Sequence, residues 1–189
     1  MKKCSYTWKE WDKGEEQCPE EPWEGSEEYC IFHDPSQEKD TRLFEQKLKE
    51  KLEKEDYNFT GYCFPEKVSF KNIEFGEYAY FSKATFQKAA SFRGAIFQKD
   101  AYFVKATFQG EAYFIKATFE DVNFRGAIFQ KNTDFRGAIF QNAYFVETNF
   151  LNVHFNETNF LNVHFRKATF QNAYFSEAII ERNLEFIPI

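Results

Sequence analysis

Ala138-Ile139-Phe140-Gln141-Asn142-Ala143-Tyr144-Phe145-Val146-Glu147 holds the pattern that decides the fold. A phenylalanine recurs five residues after the last, and two positions before each stands a small residue. The same step continues through Phe150, Phe155, Phe160, Phe165, Phe170 and Phe175. Upstream it runs in steps of five or six from Phe59 to Phe135. A period of five fits neither an amphipathic helix nor a plain strand. It fits a solenoid of short flat sides. Each Phe and the residue two before it point inward, as alternate residues of a strand do. Three polar residues then carry the chain around a corner.

The irregular steps give the number of sides. Six-residue steps lead from Phe64 to Phe70, Phe75 to Phe81, Phe86 to Phe92, Phe97 to Phe103, Phe108 to Phe114 and Phe129 to Phe135. Counting repeats from Phe59, each of these steps enters an odd-numbered repeat. An extra residue fits best at a corner, stacked on the extra residue of the next coil. The parity therefore requires an even number of sides, and four is the natural solution. The insertions then line two opposite edges, one fuller than the other.

Ala138 to Asn142 and Ala143 to Glu147 follow an Ala-x-Phe-x-x pattern, which resembles the pentapeptide-repeat family. The resemblance covers about residues 57–180. It implies an all-β fold, a right-handed quadrilateral β-helix of about six coils. The family's centre residue is Leu or Phe, and here it is Phe throughout. Its usual Asp or Asn just before the centre is often Tyr, Thr or Ile here, so the outer ladders differ from the commonest ones. Some members bind DNA gyrase as acidic, dimeric duplex mimics, which makes gyrase modulation an alternative function. Such mimicry needs a strongly negative rod. Residues 70–180 instead hold 12 Lys/Arg and 10 Asp/Glu.

The acid sits elsewhere. Residues 1–69 hold 11 Lys/Arg and 18 Asp/Glu, within a chain of net charge −6. Nucleic-acid binding through Lys83, Lys88, Lys99, Lys105, Lys116 and Lys131 is disfavoured because acids are interspersed. No apolar run follows Lys2 and Lys3, and no stretch of about eighteen apolar residues occurs. The expectation is a soluble cytoplasmic protein without a membrane span.

Residues 1–34 have no period but contain Cys4, Cys18, Cys30 and His33, the last two as a Cys-x-x-His knuckle. Three thiolates and one imidazole suit a closed, structural Zn²⁺ site, although the Cys4–Cys18 and Cys18–Cys30 spacings are long. Free buried cysteines or a disulfide are the alternatives. So short a segment could hardly bury its own core, and a metal would supply the folding energy. Tyr6, Trp8, Trp11 and Trp23 are expected to pack around it. Cys63, within the repeats, reads as structural.

Residues 35–55 read as an amphipathic helix, with Asp34 as N-cap, Pro35 as first residue and Gln37 completing a capping box. Leu43, Phe44, Leu48 and Leu52 form its apolar stripe. That stripe is expected to cover the first coil, which occupies residues 56–180 with its successors. Tyr57, Tyr62, Val68 and Ile73 stand where later coils carry Ala, so the first turn is wider. Residues 181–189 form a tail in which Phe186, Ile187 and Ile189 fold over the rod's end, make a homo-oligomer contact, or form a stump.

With four sides, Tyr80, Tyr102, Asn123, Tyr144 and His164 stack on one outer face, and Ser91, Tyr113, Asp134, His154 and Tyr174 on the opposite one. Two readings stand for Tyr80, Tyr102, Tyr144, His164, Tyr113, His154 and Tyr174. They form a protein-interaction surface, or they pack on stacked neighbours and do nothing else. His154 and His164 lie on opposite sides and cannot share a ligand or a proton. A third face, with Thr85, Thr107, Ile128, Asn149 and Thr169, is too broken for a regular Thr array. No phosphate loop or nucleophile elbow occurs, and a Phe-filled interior leaves no room for substrate. The reading is a non-enzymatic structural or interaction module with an unidentified protein partner and a zinc-stabilised N-terminal adaptor.

Overall fold

The computed structural model describes residues 2–9, 15–36 and 38–185. From Tyr57 the chain winds as a β-solenoid of about six turns. Parallel pairing in register defines four sides. Cys63, Thr85, Thr107, Ile128, Asn149 and Thr169 run up the first. Ser69, Ser91, Tyr113, Asp134, His154 and Tyr174 run up the second. Glu74, Ile96, Thr118, Ile139, Asn159 and Ile179 form the third column. Tyr80, Tyr102, Asn123, Tyr144 and His164 form the fourth. The three faces read from the sequence are therefore the faces observed.

The interior is a lattice of rings. Each Phe stacks on its equivalent one coil away, as Phe64 does on Phe86 at 4.6 Å and 5° between planes. Rings of the second and fourth sides meet across the axis edge to face, as Phe81 and Phe92 do at 5.3 Å and 90°. Both geometries suit the ring quadrupole. The Ala residues two positions earlier are fully buried from Ala79 to Ala143. Thr148 and Thr158 take that small-residue site later in the rod. Their hydroxyls donate to Phe124 O at 2.8 Å and Phe135 O at 2.9 Å, so burial leaves neither hydroxyl unpaired.

The corners are of two kinds. Two opposite edges turn through four residues, with the last N–H bonded to the first carbonyl, as Ala84 N donates to Phe81 O at 3.1 Å. The third residue has positive φ: Lys83 +59°, Gly94 +64°, Lys105 +57°. This is a type II turn, whose fixed length admits no insertion. At the other two edges a five-residue step lets the strand run on around the corner, as in Thr118–Asn123, whereas all six-residue steps fall on these edges and most interrupt it, as between Thr85–Phe86 and Ala90–Ser91. The last of them makes a bulge between Phe129 and Asn132. Where insertions cease, asparagines close the edge. Asn172 donates to Asn152, which donates to Asn132, at 2.6 and 3.0 Å. Asn183, Asn162 and Asn142 repeat this on the opposite edge at 3.1 and 2.8 Å.

Ahead of the solenoid lie a two-stranded hairpin, β1 (Thr7–Lys9) and β2 (Glu15–Gln17), and one helix, α1 (Thr41–Glu53). The helix starts later than the sequence reading placed it, and Asp34 is not its cap. Asp40 is: its Oδ1 accepts from Arg42 N and Leu43 N, both at 3.0 Å. The residues before it are diverted by Lys39, which is buried and donates from Nζ to Ile31 O at 3.2 Å and Cys63 O at 2.7 Å. Asp34 accepts instead from Ser36 N at 2.8 Å and Trp23 Nε1 at 2.7 Å. Gln37 lies outside the described residues. The apolar stripe does cover the first coil. Phe44 and Leu48 are buried, and Phe44 meets Phe64 edge to face at 5.6 Å.

The other end of the rod is different. Phe175, Ile180 and Leu184 are 38%, 39% and 51% exposed, against 0% for most ring positions below them. Phe186, Ile187 and Ile189 lie outside the described residues.

Candidate metal centre

Three segments bring four ligand atoms together. The hairpin places Cys4 just before β1 and Cys18 just after β2; Cys18 N donates to Tyr6 O at 2.9 Å and Cys4 N to Glu20 O at 2.8 Å. Cys30 and His33 sit on one tight turn, with His33 N donating to Cys30 O at 3.1 Å. The sulfurs and the ring nitrogen all lie within 4.8 Å of one another, and all four residues are buried. Cys18 Sγ and Cys30 Sγ are 3.8 Å apart, and His33 Nδ1 is 3.2 Å from Cys30 Sγ and 3.7 Å from Cys4 Sγ. A tetrahedral ion with metal–sulfur bonds of about 2.3 Å needs sulfur–sulfur edges of about 3.8 Å. The donor set and spacing fit such an ion. They do not fit a disulfide, whose sulfurs stand about 2 Å apart.

The tautomer of His33 points the same way. Nε2 lies 2.9 Å from Thr60 O, an acceptor, so Nε2 carries the proton and donates it. Nδ1 is left as a lone-pair donor facing the sulfurs. A carbonyl behind a histidine is the usual outer partner of a metal-ligating imidazole. Here that carbonyl belongs to the first coil, so the cluster is bolted to the solenoid. Tyr6 stacks on the imidazole at 4.0 Å and 7°, and Tyr62 meets it edge-on at 5.2 Å.

The Cys30 thiol is pushed up to about 12, by its hydrogen bond with Cys18 and then by burial. Burial also raises Cys4. These thiols hold their protons near neutrality unless a cation replaces them.

Trp8 lies 6.1 Å from Tyr6, whereas Trp11 lies outside the described residues. Cys63 stays out of the cluster; its Sγ is 3.9 Å from Gly61 O. Its backbone joins the segments instead, with Cys63 N donating to Phe32 O at 2.8 Å.

On the solenoid, the aromatic residues named from the sequence are stacked along the rod. Tyr80 lies on Tyr102 at 5.3 Å, Tyr144 on His164 at 4.9 Å and His154 on Tyr174 at 4.7 Å, all nearly parallel. Tyr113 stands between Ser91 and Asp134 in its column. The ring faces within each pair are covered by one another, so a nucleic-acid base has no gap to enter between them. His154 and His164 lie on opposite sides, as the spacing requires. Sequence reading missed the asparagine ladders, although Asn132, Asn142, Asn152, Asn162 and Asn172 recur every tenth residue. It also missed Lys39, for which a lone lysine gives no signal.

Two family profiles match this solenoid. One, described as pentapeptide repeats (9 copies), covers residues 70–118 and 92–139. The other, described as a pentapeptide repeat region, covers residues 117–186. The chain belongs to the pentapeptide-repeat family. Solenoids of this family are generally non-catalytic and serve as structural or interaction modules. No curated protein matches the chain. Among the described residues, no helix is long and apolar enough to cross a membrane.

Proposed function

We propose that this protein is a non-enzymatic interaction module: a rigid rod carrying a zinc-stabilised N-terminal adaptor that holds a protein partner. One observation carries the reading. Four buried ligand atoms from three segments converge, and the histidine among them is braced by the rod's own first coil. Cys4, Cys18, Cys30 and His33 Nδ1 would hold the ion. It would supply folding energy to a segment that buries little core of its own. The imidazole and three sulfurs fill a tetrahedron with protein ligands, the pattern of a structural rather than a catalytic site. Four cysteines without a disulfide, three of them in the cluster, suit a reducing compartment, the cytoplasm. The exposed ring of Phe175 and its neighbours is the place for self-association, should the rod oligomerise.

The test is metal analysis of the intact chain and of Cys30→Ser. The intact chain should carry one equivalent of zinc. The variant should lose it and loosen residues 1–34, while the β signal of the solenoid persists. One equivalent retained in the variant refutes the reading. If the adaptor is the binding element, the variant also loses partners captured by the intact chain.

A further inference from the structure

Between the N-terminal segment and α1 runs a cleft of about 560 Å³. We propose that it is the docking site for a cationic peptide segment of a partner protein, one bearing Lys or Arg beside an aliphatic residue. The proposal rests on reading residues 1–55 as an adaptor and names what the adaptor holds.

The walls specify the ligand. Glu20, Glu21 and Glu24 stand exposed on one side and Asp40 on the other, opposed among the lining residues by Lys47 alone. Such a rim attracts cations and repels phosphate polymers and anionic lipid surfaces. Its walls are not merely charged. Trp23 lines it half-buried, with its indole N–H held by Asp34 Oδ2 at 2.7 Å. The ring lies against Gly25 so closely that a Cβ there would come within 2.0 Å of it. The indole is therefore fixed in place before any ligand arrives, beside carboxylates, which is the setting for a cation–π contact. Leu43 is half-buried on the same helix face and offers the apolar contact. A peptide carrying alternate cationic and aliphatic side chains meets both demands.

The intact chain is titrated with two short synthetic peptides, one of alternating Lys and Leu, the other of alternating Glu and Leu. Heat and the Trp23 indole N–H resonance are followed. The Lys peptide should bind, shift that resonance, and weaken about tenfold from low to high salt. The Glu peptide should not bind. Glu21→Gln with Glu24→Gln should weaken binding about tenfold. Gly25→Ala, which displaces the indole and leaves every charge, should weaken it as well. The proposal is overturned if the Lys peptide does not bind, binds the variants equally, or shifts only resonances of the solenoid. Self-association that blocks the peptide would give the cleft to a second copy and overturn it too. Metal content measured on the same samples separates the two readings. A metal-loaded protein that ignores the peptide refutes the cleft alone, and a metal-free protein that takes it refutes the zinc site alone.

Discussion

Gly61 joins the two halves of this molecule. Its φ of +71° belongs to the turn at the start of the solenoid, and its missing side chain is the space that Tyr6 fills. Tyr6 in turn stacks on His33, whose Nε2 donates to Thr60 O, one residue before Gly61. Turn conformation, ring stacking and histidine tautomer thus meet at adjacent residues. Gly61→Ala combines a left-handed backbone cost with a collision 2.0 Å from the tyrosine ring. It should destabilise the protein by about 2–4 kcal/mol, read as a lower urea midpoint. It should also weaken metal binding in competition with a chelator. An unchanged midpoint and affinity would separate the cluster from the first coil. Lys83, Lys105 and Lys116 occupy the same turn conformation without glycine, which shows that the backbone alone does not demand it. At position 61 the tyrosine does.

Helix α1 owes its place to the end of the solenoid. A β edge left open offers unpaired backbone groups to other chains. Phe44 and Leu48 cover the first coil's rings, and Lys51 Nζ reaches to 6.0 Å from the Phe59 ring. Leu48→Asp puts a carboxylate into that contact. The variant should lose about 3 kcal/mol and form larger species in light scattering. A monomer of unchanged stability would mean the helix is dispensable as a cap. The apolar stripe of this helix was legible in the sequence, and so was its destination. Its start was not. Asp34-Pro35 has the chemistry of a helix start, but the buried ammonium of Lys39 bonds to two carbonyls distant in sequence and diverts the chain. Local capping rules do not see such a contact. The convergence of Cys4, Cys18, Cys30 and His33 was legible for the opposite reason. Cysteine and histidine in a short acidic segment have few other uses, and their identity survives ignorance of the path that brings them together.

Across the whole molecule, stability is shared between coils. Each ring touches equivalents above and below and neighbours around, so no repeat stands alone. Phe114 stacks on Phe92 at 4.9 Å and on Phe135 at 4.8 Å. Phe114→Ala removes both contacts at mid-rod and should cost about 3–5 kcal/mol in a single cooperative unfolding transition. A transition that splits in two would show that the halves of the rod fold separately. The period of five and its parity made the four sides and the crowded edges legible, because the interior tolerates one ring size and the type II corners one length. The charge of the rod was legible only as a sum. In space Lys71, Arg93, Lys116 and Arg136 fall on one turn edge, and Lys83, Lys105 and Arg125 on the opposite one. Two cationic edges are a poor likeness of a nucleic-acid duplex and weigh against gyrase modulation by mimicry.

The two turn edges also bear on ancestry. Val146 to Phe155 and Asn156 to Phe165 differ only at their first residue, yet one copy occupies the first and second sides and the other the third and fourth. Opposite halves of a coil are therefore interchangeable, and ten codons, half a winding, form the smallest segment a gene could duplicate in frame without scrambling the corners. Descent by such tandem copying lets a lineage adjust the reach of the rod while leaving its N-terminal segment untouched.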